Sequence, residues 1–150
     1  MTMNKNLIAY CGLYCGDCAG YSGEIGEAAK NLKEITQRYK FHQTAKHLFP
    51  KQLKDYAGFC EMLDFISKLK CPRRCRQIEP GEVKCEISKC CRNKGFFACH
   101  ECSTFEDCEK LRKMEGLHGD SCIKNLRAIK KMGVDAWIRE SKRFWFADDD

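Results

Sequence analysis

The apolar residues of this chain fall into helical stripes separated by cysteine-dense loops. From Glu24 to about Lys40, the residues Ile25, Ala28, Ala29, Leu32, Ile35 and Tyr39 recur at the spacing of one helix face. Glu24 and Glu27 at one end, and Arg38 and Lys40 at the other, suit the macrodipole of such a helix. A second stripe, Leu53, Tyr56, Ala57, Cys60, Leu63 and Ile66, predicts a helix from near Pro50 to about Leu69, with proline as a favourable first-turn residue. Cys60 reads as a small buried hydrophobe on that stripe. His42 and His47 fall in the connection without a ligand-spaced partner and are read as surface or capping residues. Cys71-Pro72 ends the second helix, because the residue before proline avoids the α region.

Further along, Glu79-Pro80-Gly81-Glu82 is a turn, and Glu86 to Lys94 reads as a short helix closed by Gly95. Ser103-Thr104-Phe105-Glu106 has the form of a capping box. It predicts a helix that starts just after Cys102, carries Cys108 near its start and stops at Gly116. Asp120 or Ser121 caps a segment with Ile123, Leu126 and Ile129 on one face, and Gly133 breaks it. Val134, Trp137, Ile138, Ser141, Phe144 and Trp145 form a last stripe, read as docked on a core. Leu7-Ile8-Ala9-Tyr10 is a brief strand or an extended lead into Cys11. The expected fold is mainly α: a small cysteine-rich, metal-stabilised domain with irregular knuckle loops and C-terminal helices. The 150 residues are read as one domain, with a cysteine-rich body over about 8–111 and a helical extension over about 112–146.

The 13 cysteines change the picture most. Eight lie between Cys71 and Cys108, and Cys11, Cys15 and Cys18 form C-G-L-Y-C-G-D-C upstream. The polar start is not read as a signal peptide, and no stretch approaches the ~20 apolar residues of a membrane span. A cytoplasmic location and no membrane partner are therefore expected. In a reducing compartment dense cysteines point to metal ligation rather than disulfides, and the odd count agrees.

Cys15/Cys18 and Cys99/Cys102 are knuckles, in which a two-residue turn brings both sulfurs to one side. Cys71/Cys75 and Cys85/Cys90 are looser pairs, and Cys11 and Cys108 add single thiols. The candidate ligands are thus Cys11, Cys15, Cys18, Cys71, Cys75, Cys85, Cys90, Cys99, Cys102 and Cys108, with Cys60, Cys91 and Cys122 set aside. That set suffices for two four-cysteine sites whose pairing the spacing leaves open. Zinc suits closed thiolate sites, and the expectation is two ions; an iron–sulfur cluster is the alternative. The Cys11, Cys15, Cys18 run has the spacing of the radical SAM cluster motif, but the chain lacks the alternating strands and helices of that barrel. His100 is read as an exposed knuckle residue. Cys122 is read as packed beneath Leu126; a thiolate activated by His118 and the helix start is the other possibility.

The formal charge of +6 would suit a nucleic-acid partner. Thiolates alter that sum. A zinc ion on four thiolates carries about −2, so two such sites bring the chain to about +2. Lys68, Lys70, Arg73, Arg74, Arg76, Lys84, Lys89, Arg92 and Lys94 are accordingly read first as balancing the thiolates.

C-G-L-Y-C-G-D-C, C-P-R-R-C and C-E-I-S-K-C-C-R-N-K-G-F-F-A-C-H-E-C, ending in Cys108-Glu109-Lys110-Leu111, together resemble the uncharacterised cysteine-rich family catalogued as domain of unknown function 3795. The resemblance implies a small prokaryotic, metal-binding protein with no established activity, and its pattern selects Cys90 rather than Cys91. No acid–base constellation marks a catalytic site, so the leading expectation is a zinc-binding structural or interaction module with a protein partner. An iron–sulfur redox or electron-transfer protein and a nucleic-acid-binding zinc protein are the alternatives.

Overall fold

Cys18 precedes a single helical turn, α1 (Ala19–Ser22), and Gly23 links it to α2 (Glu24–Arg38), close to the expected bounds. The computed structural model describes residues 4–71, 75–140 and 142–146. The expectations placed on Pro72, Arg73, Arg74 and Ser141 fall outside the described residues. Lys40, with φ of 49°, turns the chain into α3 (Phe41–His47), a helix the stripes did not predict. His42 and His47 are exposed on it, as expected.

The helix expected from Pro50 begins later, as α4 (Tyr56–Ser67). Asp55 decides the start, because its Oδ1 accepts from the Gly58 N–H at 3.2 Å and satisfies a backbone donor that proline cannot. The face of α2 that packs on α4 also differs from the expectation. Gly26 and Ala29 are buried there, whereas Ile25, Leu32, Ile35 and Tyr39 are exposed. Close approach is the reason: a Cβ at Gly26 would lie 2.7 Å from the Leu69 carbonyl oxygen. Lys33 and Lys68 both hold the carboxylate of Asp64 on α4. Leu63 is buried on the α4 stripe and Cys60 is half-buried. These helices belong to one compact unit, Cys18–Pro72.

The other unit comprises Met1–Asp17 and Arg73–Asp150. Its first described element is a 3-10 turn, Lys5–Leu7, followed by a tight loop in which Ile8 and Tyr14 form an isolated antiparallel bridge. Gly12 has φ of +90°, and a Cβ there would meet Leu126 Cγ at 2.8 Å. α5 (Glu86–Lys94) is closed by Gly95 as the sequence predicts. The capping box does not act as one. Thr104 makes no capping bond, a 3-10 turn spans Phe105–Asp107, and Cys108 precedes α6 (Glu109–Arg112). Gly116 lies within the next turn, α7 (Glu115–His118), rather than ending a helix.

α8 (Ser121–Met132) ends at Gly133, and α9 (Val134–Glu140) is shorter than the last stripe suggests. Phe144 and Trp145 instead lie on an irregular tail that α8 straps down. Asn125 Nδ2 donates to the Phe144 carbonyl at 2.7 Å, and its Oδ1 accepts from the Phe144 N–H at 3.0 Å. Ser121 Oγ donates to the Phe146 carbonyl at 2.9 Å. Two apolar clusters result. Ile8, Tyr14, Ile129, Trp137 and Ile138 form one. The other gathers Leu13, Ile87, Phe105, Leu111 and Leu126 with four buried cysteines, Cys11, Cys91, Cys99 and Cys122. The chain is mainly α, with no strand and no helix long and apolar enough to cross a membrane among the described residues.

Candidate metal centre

Ile87 and Cys91 share the buried face of α5 one turn apart, and Cys90 stands beside them, half-buried. The next strongly placed thiols come from the C-H-E-C turn. Its geometry follows from two backbone bonds: the Cys99 N–H donates to the Tyr10 carbonyl and the Cys102 N–H to the Cys99 carbonyl, each at 2.9 Å. Cys108, at the start of α6, supplies a fifth. Cys90, Cys91, Cys99, Cys102 and Cys108 thus line one cavity of about 220 Å³, with Lys94 and Lys110 also in its wall.

Cys91 Sγ and Cys99 Sγ lie 3.5 Å apart. The hydrogen bond between them acts on the two thiols in opposite directions. The hydrogen bond to Cys91, reinforced by burial, holds the Cys99 thiol well above its ordinary range. The same bond lowers Cys91, with help from the charges of Arg76 and Lys94 against the cost of burial. Cys102 is lowered by hydrogen bonds from the Thr104 hydroxyl and N–H and by nearby Lys94. Thr104 Oγ1 is 3.6 Å from Cys102 Sγ and Lys94 Nζ is 4.0 Å away. Two thiols of this cavity are therefore biased toward the thiolate, the form that ligates metals.

Arg76 is the fixed cation of this region. Its Nε donates to the Ile8 carbonyl and its Nη2 to the Phe97 carbonyl, each at 2.7 Å. Its guanidinium carbon stands 4.5 Å from the Tyr10 ring centre and 4.1 Å from that of Phe97. Its charge acts on Cys75, Cys91 and Cys15. Arg92 ties down the adjoining loop by donating to the Cys75 and Ile78 carbonyls at 2.6 and 2.9 Å. Among the residues read as balancing thiolates, Arg76 and Lys94 are so placed, whereas Lys68 pairs with Asp64.

The remaining candidates fall elsewhere. Cys11 is buried and shares a hydrogen bond with Cys122, which raises Cys11 and lowers Cys122. His118 does not serve Cys122: its Nδ1 is 2.6 Å from the Trp145 carbonyl oxygen. Cys15, Cys75 and Cys85 pack at the edge of the cysteine-bearing core. Cys18 and Cys71 belong to the other unit and flank Gly20, whose carbonyl accepts from the Cys71 N–H at 2.8 Å. His100 is half-buried rather than exposed, edge-on to Phe97, and burial lowers its pKa. Among the described residues no three Cys, His, Asp or Glu side chains already stand at ion-holding spacing.

Of the ligands expected from the sequence, Cys90, Cys99, Cys102 and Cys108 line this cavity, and Cys91, which the sequence reading set aside, lines it as well. Its signal was the shared helix face with Ile87, which turns Cys91 inward. No curated protein and no solved structure matches the chain. The family model described as protein of unknown function (DUF3795) matches residues 7–113, a span that contains both knuckles and every thiol of the cavity, and the chain belongs to that family.

Proposed function

We propose that this protein is a zinc-binding structural module, with an ion held by Cys91, Cys99, Cys102 and Cys108 and with Cys90 as a fifth thiol in the same wall. One observation carries the reading. Four sulfurs at about 2.3 Å from a tetrahedral zinc stand roughly 3.8 Å from one another. The Cys91–Cys99 separation of 3.5 Å is close to that edge. Soft sulfur donors favour zinc over hard cations. The ion would join α5, the C-H-E-C turn and the start of α6, three pieces with little other secondary structure between them, so its binding energy would act as folding energy.

The test is metal quantitation on the full chain alongside thermal melting. The wild type is expected to retain zinc, Cys99→Ser to lose about one equivalent, and Cys60→Ala to lose none. Chelation is expected to lower the melting temperature of the wild type. Unchanged metal content in Cys99→Ser, with melting indifferent to chelator, would sink the proposal.

A second reading has its own support. Five thiols around a cavity of about 220 Å³ offer more room than one closed tetrahedral ion needs, which favours an iron–sulfur cluster. Broad visible absorption in anaerobically purified protein, with iron and sulfide in place of zinc, would select it and imply electron transfer.

A further inference from the structure

The unit Cys18–Pro72 contains a groove of about 600 Å³, a size that accommodates a single small molecule. One wall is aromatic and already ordered: the Phe41 and Tyr56 rings are 5.8 Å apart and those of Tyr56 and Phe59 5.7 Å apart. The other wall is the apolar side of α2, where Leu32 and Ile35 remain 43% and 37% exposed.

Lys54 and Asp55 are the charged residues of the groove's lining. Lys54 lines the groove and forms no ion pair among the described residues. The neighbouring carboxylate, Asp55, is directed to the Gly58 N–H at the start of α4. An apolar trough whose lining carries a lysine outside any ion pair, beside a carboxylate already held by a backbone N–H, complements a molecule with a long apolar body and one anionic end. We propose that this groove binds a fatty-acid-type monocarboxylate, its chain lying between the Phe41–Tyr56–Phe59 wall and α2 and its carboxylate on Lys54. The site is separate from the thiol cavity, and it stands or falls independently of the metal.

Isothermal titration of the full chain with dodecanoate, and with dodecanol as the uncharged control, tests this. Expected are saturable binding of one dodecanoate and a dodecanol affinity weaker by about ten-fold, the worth of a charge-assisted hydrogen bond. Lys54→Glu, an exposed change that leaves the helices intact, should remove that difference, and Leu32→Asp should abolish binding of both. Circular dichroism confirms that each variant is folded. Absence of saturable dodecanoate binding would overturn the proposal, and so would equal dodecanoate affinity in Lys54→Glu and the wild type. Self-association that consumes the groove and is unaffected by dodecanoate would also overturn it.

Discussion

Replacing Arg76 separates what its shape contributes from what its charge contributes. The guanidinium makes two charge-assisted hydrogen bonds, to the carbonyls of Ile8 and Phe97, and lies between two aromatic rings. Each such bond is worth about 1.5–3 kcal/mol and a cation–π contact about 0.5–2 kcal/mol. The contacts share one rigid group, so they do not add fully; Arg76→Met is expected to cost about 3–5 kcal/mol. For a chain of this size that lowers the melting temperature by roughly 10 °C. Arg76→Lys keeps the charge near Cys75, Cys91 and Cys15 but cannot reach both carbonyls with a fork, so about half the loss should remain. Melting followed by far-ultraviolet circular dichroism, together with zinc affinity from competition with a chelator, reads both effects. Zinc affinity should fall more in Arg76→Met than in Arg76→Lys. Melting of Arg76→Met within about 2 °C of the wild type would refute the stability reasoning. Equal zinc affinity in the two variants would refute the role in balancing thiolate charge.

Asn125→Leu removes both bonds to Phe144 and should cost about 2 kcal/mol while releasing the tail, visible as a red shift in Trp145 emission; unchanged emission would contradict the strap. Gly12→Ala combines a φ of +90° with a Cβ 2.8 Å from Leu126 Cγ, so urea unfolding should show a loss of about 2–4 kcal/mol, and a loss below about 1 kcal/mol would count against the close approach. Hydrogen bonds from Lys33 and Lys68 lower the Asp64 carboxyl from 3.8 to about 2. A depressed carboxylate pKa stabilises the fold above the ordinary value, and that contribution disappears as pH falls through the folded-state value. The stability difference between wild type and Asp64→Asn should therefore shrink between about pH 4 and pH 2, and a difference independent of pH across that window would contradict it.

Local signals were legible where one residue settles the outcome. Gly95 ends α5 and Gly133 ends α8 where the sequence places them, since each closes a helix that is already periodic. The packed face of α2 was only partly legible: Ala29 stands on the expected stripe, but Gly26 does not, because a glycine carries no weight in a hydrophobic pattern. Gly26 faces α4 through closeness to the Leu69 carbonyl, a tertiary fact with no local mark. The candidate centre was half legible for a related reason. The C-H-E-C spacing identifies Cys99 and Cys102, but the choice between Cys90 and Cys91 depends on which side of α5 meets the core. Cys11 shows the limit of spacing. It belongs to the upstream cysteine run by sequence and to Cys122 by hydrogen bonding.

The placement of Ile8 and Tyr14 in one cluster with Ile129, Trp137 and Ile138 governs the order in which a ribosome can build this protein. The buried partners of Ile8 and Tyr14 in this cluster emerge only with the last third of the chain. Meanwhile Cys18–Pro72 is complete and able to form its own helices. Closure of the discontinuous unit is then a late, long-range step, slowed by the entropy of joining distant segments. Until it occurs, Ile8, Cys11 and Tyr14 remain open to chaperones and to oxidants. Slow elongation or premature termination ahead of α8 and α9 would leave a translation product with one folded insert and an uncovered amino-terminal thiol.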